Sequence, residues 1–88
     1  RAVGMNLIFS KQAWVDYLHR QQTDKKFLKR INRLIQDVQR TPYEGLGKPE
    51  PLKHQLSGYW SRRIDQEQRF VYKVTNDDLL IASLRYHY

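Results

Sequence analysis

The sequence predicts a single small α+β domain, in which two N-terminal helices pack on one face of an antiparallel β-sheet. This follows from a change of hydrophobic period along the chain. Apolar residues recur at helical spacing in the first half and alternate with polar residues in the second half. Short turns separate the alternating segments, so consecutive strands are expected to pair antiparallel. The expected order of elements is β-α-α-β-β-β-β.

The first half is expected to hold one short strand and both helices. Residues 5–9 form an apolar run that is typical of a strand, and Ser10 is suited to cap a helix over residues 10–22. A second helix is expected over residues 24–40. It ends before Pro42, because the residue that precedes a proline is pushed out of the α region.

The second half begins with a loop and continues as strands. Residues 41–52 contain three prolines and two glycines, which predicts a loop. Four strands are then expected, at residues 53–57, 59–65, 69–74 and 78–88.

The charge of the chain indicates a polyanionic partner. The 88 residues carry a formal net charge of +7, and nucleic acid is the first candidate for a surface this basic. Residues 1–4 have the character of an expression scar, so residues 5–88 are taken as the domain. The longest aliphatic run, residues 79–82, is far shorter than the about 20 residues of a membrane span. No signal-peptide pattern follows Met5, which favours the cytosol.

Metal and cofactor chemistry finds no support in the sequence. There are no cysteines, so disulfides and thiolate metal sites are excluded. The three histidines lack the spacing of zinc ligands, and there is no phosphate-binding or dinucleotide motif. No cofactor is therefore expected.

Two residues have the chemistry of a general base and a general acid. Glu50 lies between Pro49 and Pro51, which restrict its backbone to an extended conformation. His87 carries an imidazole that exchanges protons near neutral pH. Such a pair suits metal-free RNA cleavage, in which a base activates the 2′-hydroxyl and an acid protonates the departing 5′ oxygen. An ordinary solvated carboxylate and a histidine without a role remain the alternatives.

Basic residues are expected to supply the positive charge that such a reaction needs. Strict alternation places Ser83, Arg85 and His87 on one face of the last strand, where Arg69 of the preceding strand could join them. Tyr88 could stack on a base or close the core. Further phosphate-binding candidates are Lys53, Arg62, Arg63 and Arg85. A basic stripe on the second helix, expected to dock on phosphates, consists of Lys26, Lys29, Arg30 and Arg33.

Three segments resemble the YoeB toxins of the RelE/ParE toxin superfamily. They are KPEPLKH at residues 48–54, LSGYWSRRI at residues 56–64 and RYHY at residues 85–88. The resemblance extends over residues 5–88 and implies the RelE-like microbial RNase fold. One departure is Gln68, which stands where the family often has histidine.

The resemblance also implies a function, partners and residue roles. It implies a toxin of a type II toxin–antitoxin system that cuts mRNA in the A site of the 70S ribosome and so inhibits translation. Glu50 would be the base, His87 the acid and Arg69 the stabiliser of the transition state. Lys53 and Arg63 would support the phosphate, and Tyr88 would complete the site. The implied partners are a YefM-like antitoxin and a second copy of the chain, in the bacterial cytoplasm.

Two other functions are compatible with the same architecture. One is a non-catalytic domain that binds RNA or the ribosome and blocks it. The other is a ParE-like inhibitor of gyrase. A pure binder needs no acid–base pair, so Glu50 and His87 favour the nuclease.

Overall fold

A computed structural model describes residues 5–87, with the side chain of His87 left out. The segment taken as an expression scar, residues 1–4, and Tyr88 therefore lie outside the described residues. The helices and strands, in chain order, are β1 Asn6–Phe9, α1 Lys11–Thr23, α2 Lys25–Arg40, β2 Glu50–Pro51, a 3₁₀ helix His54–Leu56, β3 Trp60–Arg63, β4 Gln68–Val74 and β5 Asp78–His87.

The two helices begin where their caps predict. The Ser10 hydroxyl accepts a hydrogen bond from the Ala13 N–H at 3.1 Å, and it donates one to the Ala82 carbonyl at 2.9 Å. The Asp24 carboxylate accepts from the Phe27 N–H at 3.1 Å and begins α2. These bonds satisfy amide groups that have no partner inside the helix. Ser10 also fastens the start of α1 to β5.

The five strands form one sheet in the order β1-β5-β4-β3-β2. Strands β2 to β5 pair antiparallel with their chain neighbours, as predicted. Strand β1 runs parallel to β5, so the sheet is mixed and not purely antiparallel. The predicted strand at residues 53–57 is wrong, because this segment reverses the chain through the 3₁₀ helix. His54 and Gly58 have positive φ angles of 58° and 96° there.

One face of the sheet is covered by α2. The apolar stripe of this helix is buried against alternate residues of the two central strands, Phe70 and Tyr72 of β4 among them. Each such side chain contributes about 1.5–3 kcal/mol when it is fully buried. The helix residues of this core are Phe27, Ile31, Leu34, Ile35 and Val38.

Strand β5 does not alternate strictly, because its pairing with β4 shifts twice. Tyr72 pairs with Ile81, but the next paired residues are Val71 and Ser83. A second extra residue follows before Tyr86 pairs with Arg69. Such bulges change which face a side chain reaches. The prediction that Ser83 and Arg85 share one face by simple alternation is therefore wrong, since Ser83 pairs with Val71 and the Arg85 side chain contacts Asp16 of α1.

Candidate active site

The face of the sheet that α2 leaves uncovered, called the open face below, carries most of the candidate chemistry. Alternation along β4 places Arg69, Val71 and Lys73 on this face, since Phe70 and Tyr72 point into the core. Directly paired residues of neighbouring strands share a face. The register therefore adds Glu50, Ser61, Arg63, Ser83 and Tyr86 to the open face.

Glu50 and Arg69 form the centre of this group. The Glu50 carboxylate lies 3.9 Å from the Arg69 guanidinium. The Arg69 side chain is 1% exposed, whereas that of Glu50 is 47% exposed. A carboxylate that solvent reaches therefore stands beside a cation that the protein holds in place.

Arg69 is oriented by hydrogen bonds to Ser61 and Lys48. Its Nε donates to the Ser61 hydroxyl at 2.7 Å, and one terminal nitrogen donates to the carbonyls of Lys48 at 3.3 Å and Ser61 at 3.4 Å. The bond to Lys48 fastens the residues that lead into β2. Arg69 therefore fixes the position of the segment that carries Glu50.

A second hydrogen bond, at Gly47, attaches the same segment to β3. The Arg63 N–H donates to the Gly47 carbonyl at 2.7 Å. Gly47 has a φ angle of 80°, and a Cβ atom there would lie 3.0 Å from the Arg63 carbonyl and 3.1 Å from Leu34. Glycine is therefore required for the loop to lie this close to β3.

Arg62 does not join the open face, although it was predicted to bind phosphate. It is completely buried on the core side of β3. One terminal nitrogen donates to the Asp37 carboxylate at 2.6 Å, and the other donates to the Thr41 carbonyl at 2.6 Å. Its Nε donates to the Tyr72 hydroxyl at 3.2 Å. The prediction is wrong because Arg62 lies on the core side of the sheet, on the face opposite to Glu50, where its donors are directed at Asp37, Thr41 and Tyr72.

The Arg62 network holds the loop between α2 and β2. Asp37 also accepts from the Leu46 N–H at 2.9 Å. Burial opposes ionisation of Asp37, but the bonds from Leu46 and Arg62 outweigh it and hold the pKa of this carboxyl below its usual value. Burial raises the pKa of the Tyr72 hydroxyl, which donates to the Pro42 carbonyl at 2.6 Å. Sequence reasoning missed Asp37 and Tyr72.

The remaining predicted cations divide between the two faces. Arg63 pairs directly with Arg69, which concentrates positive charge beside Glu50. Lys53 is exposed just after β2. Arg85 instead lies against α1, where its guanidinium donates twice to Asp16, at 2.8 and 2.6 Å. This pairing lowers the pKa of Asp16 and separates Arg85 from Glu50.

The basic stripe lies on α2, apart from Glu50 and Arg69. Three of its members, Lys26, Lys29 and Arg33, are exposed. Arg30 is half-buried and donates to the Arg63 carbonyl at 3.3 Å. The stripe is therefore positioned to meet a partner from the helix side of the molecule.

The backbone of β5 brings the last predicted site residues to the same end of the sheet. Tyr86 occupies the register position opposite Arg69, and His87 the position opposite Gln68. The His87 side chain and Tyr88 lie outside the described part of the chain, so their predicted roles stay predictions. Gln68 accepts a hydrogen bond from Arg20 at 3.3 Å.

Among the side chains that the structure describes, those of residues 5–86, no three His, Asp or Glu groups gather as a metal site would require. Over the same residues, neither helix has the length and apolar character needed to cross a membrane.

Solved structures share this fold closely. The YoeB dimer from Staphylococcus aureus matches with a TM-score of 0.93 at 49% identity, over 98% of this chain and 100% of that chain. A heterotetrameric YoeB–YefM toxin–antitoxin complex from the same organism matches with a TM-score of 0.89 at 50% identity, over 96% and 98%. The fold and its open face thus define a small α+β toxin of a toxin–antitoxin system.

Sequence comparison gives the family. A family model for the YoeB-like toxin of bacterial type II toxin–antitoxin systems matches residues 9–88. Toxin YoeB of Escherichia coli (strain K12) is 64% identical over 84 residues, which cover 96% of this chain and 100% of that one. Toxin YoeB of Streptomyces coelicolor is 57% identical over the same shares. The chain belongs to the YoeB family of toxins, which confirms the resemblance inferred from its motifs.

Proposed function

We propose that this toxin is an endoribonuclease that cuts mRNA in the A-site codon of the 70S ribosome and so inhibits translation. The observation that supports it is the pairing of an exposed carboxylate, Glu50, with a buried guanidinium, Arg69, at 3.9 Å on an open basic face. A base must reach its substrate, whereas a stabilising cation works best when it is fixed in advance.

The reaction uses the nucleophile that RNA itself carries. Glu50 takes the proton of a ribose 2′-hydroxyl, and the 2′ oxygen attacks the adjacent phosphorus. The bond from phosphorus to the 5′ oxygen breaks, and His87 protonates that oxygen. The products are a 2′,3′-cyclic phosphate and a free 5′-hydroxyl. DNA is spared because it lacks the 2′-hydroxyl.

The cations of the open face stabilise the charge that builds on the phosphate. Arg69 is held by Ser61 and the Lys48 carbonyl, so it needs little reorganisation as the transition state forms. Arg63 stands beside it in the register, and Lys53 approaches from the end of β2. Tyr88 completes the site in this proposal.

The proposed macromolecular partners are the ribosome with its mRNA, a YefM-like antitoxin and a second copy of the chain, all in the bacterial cytoplasm. The ribosome would meet the basic stripe of α2. An exposed apolar patch is suited to a protein partner and not to RNA. Its members are Leu7 of β1 and Trp14, Val15 and Leu18 of α1, whereas the exposed Ile8 pairs with Leu80 and lies on the open face. We assign this patch to the second copy, because a relative with 49% identity is a dimer.

Primer extension on a defined mRNA tests the activity. Ribosomes are programmed with a known codon in the A site, and wild type is compared with Glu50→Gln. A new stop in that codon, present only with ribosomes and lost in the variant, supports the proposal. A block of translation by folded wild-type protein without any cut would favour the non-catalytic binder. Gyrase-dependent DNA damage would favour the gyrase inhibitor.

A further inference from the structure

Tyr59 and Lys73 form an aromatic and cationic pair on the open face, at the other end of the β3–β4 pairing from Arg63 and Arg69. The Lys73 ammonium lies 5.5 Å from the centre of the Tyr59 ring. Both side chains are half-buried, and neither belongs to the hydrophobic core. The backbone of Tyr59 is fixed, because its N–H donates to Leu56 at 3.0 Å and its carbonyl accepts from Leu52 at 2.9 Å. The backbone that carries the ring is therefore held in place at the edge of the site.

The register relates this pair to the candidate active site. Ser61 pairs with Val71 and Arg63 with Arg69. Tyr59 directly precedes β3, and continuing the same register places it opposite Lys73, in agreement with the contact between their side chains. Tyr59 lies four residues before Arg63, a distance of about 13 Å along an extended chain, and two residues before Ser61, the register partner of Glu50. A strand of RNA that crosses the open face from Arg63 reaches Tyr59 after a few nucleotides.

The chemistry of the pair fits a single-stranded nucleotide. Aromatic side chains stack on bases of any sequence, and a neighbouring ammonium neutralises the phosphate. Lys53, which follows the residue hydrogen-bonded to Tyr59, adds a second ammonium at this end of the sheet. Leu80 of β5 is the register partner of Lys73 and offers an apolar surface beside it.

We infer that Tyr59 and Lys73 form a separate nucleotide subsite, which stacks a base and binds a phosphate of single-stranded RNA a few nucleotides from the bond that is cut. This inference rests on the proposed function, since it assumes that RNA lies along the open face. The subsite holds the strand in line, while Glu50 and Arg69 act on the reacting phosphate.

Binding of a short fluorescent 2′-O-methyl oligoribonucleotide tests the subsite without cleavage, because the attacking hydroxyl is blocked. Tyr59→Ala is expected to weaken binding by about 5- to 100-fold, the range of one lost base stack. Tyr59→Phe keeps the ring and is expected to bind like wild type. Lys73→Gln is expected to reduce the dependence of affinity on salt by about 0.7 in the logarithmic slope, which corresponds to one phosphate contact.

Matched controls separate this subsite from general effects on the surface. Tyr43→Ala removes a tyrosine that is 51% exposed and packs on Trp60, away from the open face. Lys11→Gln removes an exposed charge at the start of α1. Both controls are expected to bind like wild type.

A second set of probes distinguishes a stacking role from a structural role. Each probe lacks one base, and the missing base is moved along the strand. Tyr59→Ala should bind more weakly than wild type to every probe except one. The exception is the probe that lacks the base stacked on Tyr59, to which both proteins should bind equally. An equal loss on every probe would overturn the subsite, and so would wild-type affinity in folded Tyr59→Ala and Lys73→Gln proteins.

The outcome can be separated from that of the proposed nuclease. If ribosome-dependent cleavage is absent but oligonucleotide binding depends on Tyr59 and Lys73, the subsite stands and the nuclease fails. If wild type cleaves and both variants bind and cleave normally, the nuclease stands and the subsite fails.

Discussion

Arg69 and Glu50 lie 3.9 Å apart, yet one side chain is buried and the other is open to solvent. Arg69, the buried residue, also stabilises the fold, because its guanidinium donates a hydrogen bond to the Lys48 carbonyl. Arg69→Ala would therefore remove packing and hydrogen bonds as well as charge. Glu50 is the cleaner position at which to test the chemistry.

Glu50→Gln should reduce ribosome-dependent cleavage by about 10²–10⁴-fold, the usual contribution of a general base. The side chain is exposed and glutamine has the same shape, so the melting temperature should change little. Single-turnover cleavage on programmed ribosomes measures the effect. Glu67→Gln, at an exposed turn, is the matched control and should cleave normally. A Glu50→Gln protein with the wild-type rate would remove Glu50 from the role of base.

His87→Ala should reduce the same single-turnover rate by about 10²–10⁴-fold, because the 5′ oxygen would leave without a proton donor. His19→Ala, on the exposed surface of α1, removes an imidazole elsewhere and should have no effect. Circular dichroism should show that both variants are folded. Equal rates for His87→Ala and wild type would contradict the assignment of the acid.

Asp37→Asn should destabilise the fold by about 3–5 kcal/mol near neutral pH, because it leaves the buried Arg62 without its counter-charge. The pKa of Asp37 is lower in the folded state than in the unfolded state. Its contribution is therefore complete above the unfolded pKa of about 4 and is lost as the pH falls through the folded pKa.

Urea unfolding at several pH values checks both parts of this prediction. Wild type should lose stability on acidification below about pH 4 more steeply than the Asn variant, which lacks the titrating carboxyl. Parallel curves for the two proteins would show that Asp37 contributes nothing to the acid sensitivity. Asp77→Asn, at the exposed turn before β5, serves as the control.

The exposed members of the basic stripe should contribute to ribosome binding through phosphates. Replacing Lys26, Lys29 and Arg33 together by glutamine should weaken binding and make its salt dependence shallower, since fewer counterions are released. Lys11→Gln is a control with a similar exposed charge on α1. Filter binding to ribosomes over a range of salt concentrations measures the slope. An unchanged slope would mean that the stripe faces solvent in the complex.

Trp14→Glu should convert a dimer into a monomer. Trp14 is 46% exposed, and a charge there is costly inside an apolar interface. Because its ring also packs on Phe9 and Tyr17, circular dichroism is used to check that the variant is folded. Sedimentation velocity at several concentrations measures the change. Gln21→Glu adds the same charge to another exposed position of α1 and should leave the dimer intact. A dimer that survives Trp14→Glu places the interface elsewhere.

The ends of the helices were predictable, because nearby residues in the sequence determine where each helix begins and ends. The predicted spans 10–22 and 24–40 agree within one residue with Lys11–Thr23 and Lys25–Arg40, since Ser10 and Asp24 act as caps. The two bulges of β5 were not predictable, because no residue type marks them. Strand β2 was hidden in a proline-containing segment, and Pro51 is tolerated there because β2 lies at the edge of the sheet.

The candidate site was only partly predictable. Glu50 and Arg69 were singled out by residue type and resemblance, but their proximity depends on the pairing of three strands. Arg62 and Arg63 are identical residues and neighbours in sequence. Because side chains alternate along a strand, Arg62 lies in the core and Arg63 lies on the open face. Asp37, which accepts the charge of Arg62, lies 25 residues away, and nothing in the local sequence connects them.

Strand β5 comes last along the described chain but lies second from the edge of the sheet, between β1 and β4. The bond from Ser10 to Ala82 spans 72 residues. Contacts of such sequence separation slow folding, and β1 has no neighbouring strand until residues 78–87 have been synthesised. The helices and the β3–β4 hairpin can form on the growing chain, whereas the five-stranded sheet cannot be completed before β5 is synthesised. Nascent chains that lack β5 should therefore be non-toxic and susceptible to proteases.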